Sequence, residues 1–322
     1  MKHMNVGFSI HRPEMIPKTA ELMGRHEAVF LEEPPLPEYE SMLEGRISVE
    51  DYLLPQDLEY PEFSRQMCNL EKQLHAAGKQ LIQVEPFYEV LLSIHEFFAR
   101  GNTPNDLKPN HLSYYVYMAE RQTTAALLHF YQTAAASSFN AVVEAVIRFA
   151  KADAQRFRLR DSLRAQAIVK RVDQYSSIYV EAGTIHYLLW RELYRMLSSD
   201  FHIKPVFLNR LVMKEGEPHS HLYSPGDRLT LFYIFHPRGV NQQKELLLAA
   251  RSIIYSKIIQ KQESFEKSDS FRHVADEIAC IGMVKKLTLD DCRNLFARIR
   301  KSLTAEAREV VETYTDSGKD DD

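Results

Sequence analysis

With 322 residues, 45% hydrophobic and 26% charged, the chain has the composition of an ordinary globular protein with enough apolar content for a sizeable core. A net charge of −4 gives no general pull toward nucleic acid or anionic membrane, and neither is expected as a partner. The three cysteines, Cys68, Cys280 and Cys292, are scattered, with no pairing that suggests a disulfide framework or a thiolate metal site, so a reducing, cytoplasmic setting is expected.

The first residues lead directly into a strand, and no signal peptide is expected. Residues 5–33 read as a strand–helix–strand unit. Residues 5–11 (NVGFSIH) form a short apolar strand ending in His11, and Pro13 suits the first turn of a helix that continues to His26. Residues 28–32 (AVFLE) are a second buried strand, ending in Glu32 and Glu33 and stopped by Pro34 and Pro35. Residues 34–62, rich in Pro, Glu and Tyr, read as an irregular excursion covering the site rather than a core element. A helix is expected over 62–77 with Gly78 as its terminator. A third strand over 80–85 is closed by Pro86, and a helix follows to Arg100.

Residues 101–110 (GNTPNDLKPN) are a turn-rich connection, after which 112–172 reads as helical throughout, without Pro or Gly. Within it, 123–143 carries no formal charge. Thr123, Thr124, His129, Gln132 and Asn140 are nevertheless too polar for lipid, so a buried helix, broken near Ser137 and Ser138, is expected. Residues 178–182 are β-branched, aromatic and apolar apart from Glu181, which suits a strand in a covered sheet. Gly183 gives the following turn its freedom, and Tyr187, Trp190, Leu193 and Tyr194 then recur at helical spacing. Residues 203–213 and 228–235 have strand composition on either side of a Gly/Pro loop and read as a hairpin or two sheet strands. From 242 the chain is helical, with an apolar face over 245–259 and a capping box of Thr288 and Asp291 opening a helix to Lys301.

The fold class is α/β: a mostly parallel central sheet built from two related halves (5–33 and 178–213), with a large helical insertion and C-terminal helices. The expected organisation is an α/β domain over 1–240 that includes the insertion at 111–175. A helical segment over 241–315 packs on it, and a disordered acidic tail spans 316–322.

Four polar positions fall at the carboxyl ends of expected strands, where open α/β sheets place their ligands: His11, Glu32 with Glu33, Glu85, and His186. Taken singly, each also reads as a solvated or hydrogen-bonded group. Together, His11, Glu32 and His186 have the chemistry to hold a divalent metal, or to act without one as base and acid. Glu33, Glu85, Gly183 and Thr184 are the candidate substrate contacts. Arg156, Arg160 and Arg164 share one helix face at i, i+4 and i+8. They read either as a solvated face paired with Asp153, Asp161 and Asp173, or as supplying one arginine to an oxyanion in the site. His219 and His221, at period-2 spacing, are a second possible metal pair.

Gly183-Thr184-Ile185-His186 after a buried strand resembles the GxxH signature of the TraB, TIKI and erythromycin-esterase-like superfamily. So does the N-terminal order of strand, histidine, helix, strand and glutamate, together with Leu159-Arg160-Asp161 in a helix before the second motif. The resemblance covers roughly residues 5–213. It implies a two-half α/β fold in which some members are metal-dependent proteases and others are esterases that need no metal. By position it makes His11 and His186 the paired histidines, Glu32 the glutamate and Arg160 the arginine, with Mn, Co or Zn as the implied ion. The first motif departs from the pattern, with Phe8 where the family has glycine. Two functions are therefore expected: a hydrolase of a peptide, ester or amide carbonyl in a peptide or small-molecule substrate, with or without a metal, or a non-catalytic regulator or ligand-binding module whose helical surfaces bind a protein partner or a second copy.

Overall fold

The computed structural model describes residues 2–212, 223–237, 241–263 and 271–317. Five strands form one sheet: β1 (Lys2–Ser9), β2 (Ala28–Leu31), β3 (Gln80–Gln83), β4 (Ser177–Gly183) and β5 (Phe201–Phe207). Their order is β3-β2-β4-β1-β5, and every neighbouring pair is parallel. The helices in chain order are α1 (Ile16–Gly24), α2 (Tyr39–Leu43), α3 (Val49–Leu53), α4 (Pro61–Ala76) and α5 (Pro86–Ala99). Then come α6 (Leu112–Ala136), α7 (Phe139–Val169), α8 (Tyr187–Leu197), α9 (Leu208–Val212), α10 (Pro225–Phe235), α11 (Gln242–Ile258), α12 (Arg272–Lys285), α13 (Leu289–Ile299) and α14 (Thr304–Ser317).

The two halves, β1–α1–β2 and β4–α8–β5, interleave. The inner strands β1 and β4 pair with each other, and each outer strand lies beside the inner strand of the opposite half, β2 on β4 and β5 on β1. This brings the carboxyl ends of β1 and β4, and hence His11 and His186, side by side. Edge strand β5 carries Pro205, which donates no backbone hydrogen bond and is tolerated at an edge.

Contacts divide the chain into two units. The first comprises 1–116, 158–212 and 263–271, and the second 117–157, 213–262 and 272–322. The boundary expected at 240 falls inside the second unit, and the expected insertion is divided between the two.

In the first unit, strand alternation sends Ile178, Val180 and Ala182 into one apolar layer and Tyr179 into the other. The first layer gathers Met4, Val6 and Phe8 with Ala165 and Ile168 of α7 and Leu189 and Leu193 of α8. The second packs Val29 and Leu31 under Tyr39, Met42, Met67 and Leu74. Gly7 is required here, because a Cβ would land inside the buried Tyr179 ring. Phe8 is fully buried and stacks on Phe207 at 5.0 Å, so the residue standing where the GxxH pattern has glycine is part of the core. In the second unit α11 is central and packs against α10, α12, α13 and α14.

Four expectations change. Residues 34–62, expected as an irregular excursion rather than a core element, contain α2 and α3, and Tyr39, Met42, Val49 and Tyr52 lie buried in the second apolar layer. Residues 228–235 are helical, not a strand. Ser224 caps α10 in a reciprocal box with Asp227, and Pro225 pre-sets the first turn, so the local start signal overrides the β-prone composition of Leu229, Thr230, Phe232 and Tyr233. The strand expected over 203–213 ends at Phe207, where its register with Phe8 of β1 runs out, and α9 follows. The helix over 123–143 breaks at Ser137 and Ser138 as expected, but it is one-sided rather than buried. Thr123, Ala126 and Thr133 are covered, whereas Leu128 and Tyr131 are 54% and 55% exposed. Among the described residues no helix is long and apolar enough to cross a membrane. Helix α14 runs to Ser317, and the rest of the expected tail, like His219 and His221, lies outside the described residues.

Candidate active site

The site is centred on the bare Cα of Gly183, the last residue of β4. A Cβ built there would stand 3.5 Å from His186 Cδ2, 3.7 Å from Glu32 Oε2 and 4.0 Å from His11 Nε2. The three residues expected to act together therefore converge on one point at the carboxyl edge of the sheet.

His186 precedes α8 and is buried, its turn closed by a bond from its own N–H to the Gly183 carbonyl at 3.1 Å. Its Nδ1 donates to Asp161 Oδ1 at 2.5 Å, and its Nε2 lies 2.9 Å from Glu32 Oε1. Burial alone would discharge the ring. Glu32 and Asp161 on either side reverse that and lift its pKa to about 9, so His186 is an imidazolium at neutral pH. Asp161 is itself fixed, its second oxygen accepting the Leu189 N–H at 3.1 Å.

Glu32 is the hub. Burial raises the cost of its charge, but His186, Arg160 and Arg164 hold its carboxyl well below the usual carboxylate range. Oε1 accepts from Arg160 Nη2 at 2.7 Å, and Oε2 accepts the Gly183 N–H at 2.6 Å and lies 3.6 Å from Arg164 Nη1. Arg160 also donates to Glu85 Oε2 from Nε at 3.0 Å, and its guanidinium lies over the Tyr88 ring at 4.6 Å. Arg164, fully buried, donates Nε to the Val84 carbonyl at 2.8 Å.

His11 differs from its counterpart. Burial lowers its pKa below the ordinary imidazole value, and the Glu32 charge only partly offsets this, so at neutral pH the ring is uncharged. The two histidines thus carry opposite protonation states at one point, an arrangement that separates a base from a charge donor.

The candidate substrate contacts divide. Gly183 forms the floor, and Thr184 is half-buried in the turn beyond it. Glu85 is fully buried and serves to hold Arg160. Glu33 lies apart, its carboxylate accepting from Gln83 Nε2 at 2.9 Å and its pKa raised by burial. It couples electrostatically to Glu71 and Glu181, both also pushed up, Glu181 to about 8 by burial and the Glu33 charge. Glu181 Oε2 accepts the Glu32 N–H at 3.1 Å and so ties the end of β2 to β4.

Of the arginine stripe, Arg160 and Arg164 serve the site, whereas Arg156 pairs with Asp153 and Glu120. Asp161, Arg164 and Glu181 were missed as site residues. In sequence Asp161 reads as a partner for the arginines of its own helix, whereas its carboxylate accepts from His186 and the Leu189 N–H. Glu181 had a visible signal as the lone charge in an otherwise apolar strand.

The residues do not fit the expected divalent ion. Both His186 nitrogens are engaged by carboxylates, leaving no lone pair for a metal, and Glu32 is already neutralised by two guanidiniums and an imidazolium. Among the described residues no group of three His, Cys, Asp or Glu side chains has metal-holding geometry.

No protein-family model matches the sequence. An uncharacterized protein of the archaeon Archaeoglobus fulgidus is 26% identical over 298 residues, covering 92% of this chain and 98% of that protein. No solved structure matches.

Proposed function

We propose that the chain is a hydrolase of the TraB, TIKI and erythromycin-esterase-like type that cleaves a peptide, ester or amide carbonyl without a metal. The observation that carries the reading is the meeting of His11 Nε2, Glu32 and His186 around Gly183. His11, kept neutral by burial, takes a proton from water as the water oxygen attacks the carbonyl carbon. The imidazolium of His186 and the guanidinium of Arg160, both anchored on Glu32, supply fixed positive charge for the oxygen that becomes negative. Collapse of the tetrahedral adduct breaks the bond to the leaving oxygen or nitrogen, which takes the proton back from His11. Glu32 remains ionised throughout. All three cysteines are free and buried, which supports a cytoplasmic setting.

The test is a panel of esters and peptides offered to protein purified without chelator, with metal analysis alongside. Hydrolysis should survive EDTA and fall on the order of 100-fold or more in His11→Ala and His186→Ala. Unchanged turnover in both variants, or dependence on an added divalent ion, would overturn the mechanism. The second reading, a non-catalytic module that binds a protein partner or another copy, draws on the exposed Leu128 and Tyr131 of α6. Light scattering that shows a monomer, together with hydrolysis of any panel member, would exclude it.

A further inference from the structure

The two histidines are held by different means. His186 is gripped at both ring nitrogens, whereas His11 makes no hydrogen bond among the described residues. Its ring instead stacks on Phe63, with centroids 5.1 Å apart and planes 20° from parallel. Phe63 is the third residue of α4, whose N-cap, Tyr60, gives the helix no side-chain cap. The cap comes from far along the chain. The two carboxylate oxygens of Glu263 accept the N–H groups of Glu62 and Phe63, each at 2.9 Å. The neighbouring Arg12 lies over the Tyr60 ring at 4.4 Å, so the start of α4 meets the His11 turn at two aromatic contacts.

We infer that Phe63 is the positioning residue for His11, and that Glu263 acts on His11 through Phe63 by fixing the first turn of α4. The inference rests on the reading of His11 as the base, and it follows from what constrains the ring. An imidazole without a hydrogen bond turns about its side-chain torsions unless packing selects one rotamer. The Phe63 face selects one and shields the ring from water, consistent with the lowered pKa of His11. The Phe63 face is in turn only as fixed as the α4 backbone beneath it. A carboxylate on two N-terminal N–H groups is favoured there by both hydrogen bonding and the helix dipole.

The test uses full-length protein carrying histidine labelled with 13C at the ring, with the His11 resonance identified by its loss in His11→Gln. In the wild type that resonance should be displaced by the Phe63 ring current. Phe63→Tyr should keep the displacement. Phe63→Leu should abolish it and move the titration midpoint up toward 6.5. Phe63→Met, a flexible apolar filler, serves if the leucine variant does not fold. Glu263→Ala should reduce the displacement in the wild type and have no further effect in Phe63→Leu, the non-additivity expected of one residue acting through another. On any substrate found, Phe63→Leu should lower kcat about tenfold or more with little change in KM, and Phe63→Tyr should restore it. An unmoved His11 resonance in Phe63→Leu overturns the inference. So does an equal Glu263→Ala effect with and without Phe63. The labelled-histidine arm needs no substrate, so its failure is distinguishable from failure of the hydrolase reading.

Discussion

At the scale of single residues, two imidazoles at one point are driven to opposite charge states by what each touches. Burial dominates at His11, and carboxylates dominate at His186. On the proposed hydrolase mechanism this sets the pH dependence of turnover. Activity requires His11 uncharged, so it should rise through an acid limb below 6.5, and it requires His186 charged, so it should fall through a limb near 9. A kcat/KM profile measures both limbs, and in Asp161→Asn the alkaline limb should move to lower pH because one of the two flanking charges is gone. Gly183 gives a second prediction. A methyl there meets its neighbours at ordinary contact distances, so Gly183→Ala should melt within a few degrees of the wild type while losing turnover on the order of tenfold or more, because it fills the space between base and substrate. A melting temperature and a rate from the same preparation decide it. His11, Glu32, Arg160 and His186 were legible in the sequence because each ends a strand or stands in a motif. Asp161 and Arg164 were not, since a charge on a long helix declares its partner only once the helix has a face against the sheet.

At the scale of elements, local start signals outweighed composition. Residues 228–235 look like a strand by residue type, yet Ser224, Pro225 and Asp227 commit them to a helix. The prediction is that Ser224→Ala costs about 0.5–2 kcal/mol in a denaturant titration while leaving turnover unaffected. A loss of activity without a loss of stability would contradict it. The strands themselves were legible because β-branched runs bounded by Gly, Pro and charge admit little else. Their order was not, because the interleaving of the halves lies in pairings such as Val6 with Val180 and Val6 with Pro205, between residues far apart in the chain. The exposed flank of α6 was misjudged for a related reason. An uncharged helix is not thereby a buried one, and Thr124, Leu128 and Tyr131 fall on a side that nothing described covers.

At the scale of the whole molecule, buried carboxyls set how stability responds to pH. Glu181 keeps its proton to about 8 in the folded state but releases it near 4.5 when unfolded. Its contribution is complete below the unfolded value and is lost as pH rises through about 8, because over that interval the native state holds the extra proton. Glu32 has the opposite sign, and its contribution disappears as pH falls through its lowered native value. Urea titrations from mildly acid to alkaline pH should therefore show stability declining toward about 8 in the wild type and a shallower decline in Glu181→Gln. Identical slopes would remove Glu181 as the cause. The strand order has a consequence during synthesis. The sheet neighbours of β1 begin only at Ser177 and Phe201, so at about 5–20 residues per second the nascent N-terminal strand waits roughly ten to thirty seconds with neither edge satisfied. Throughout that interval a ribosome-bound chain displays Val6 and Phe8 to its surroundings, and a chaperone that shelters short apolar segments has its clearest opportunity there.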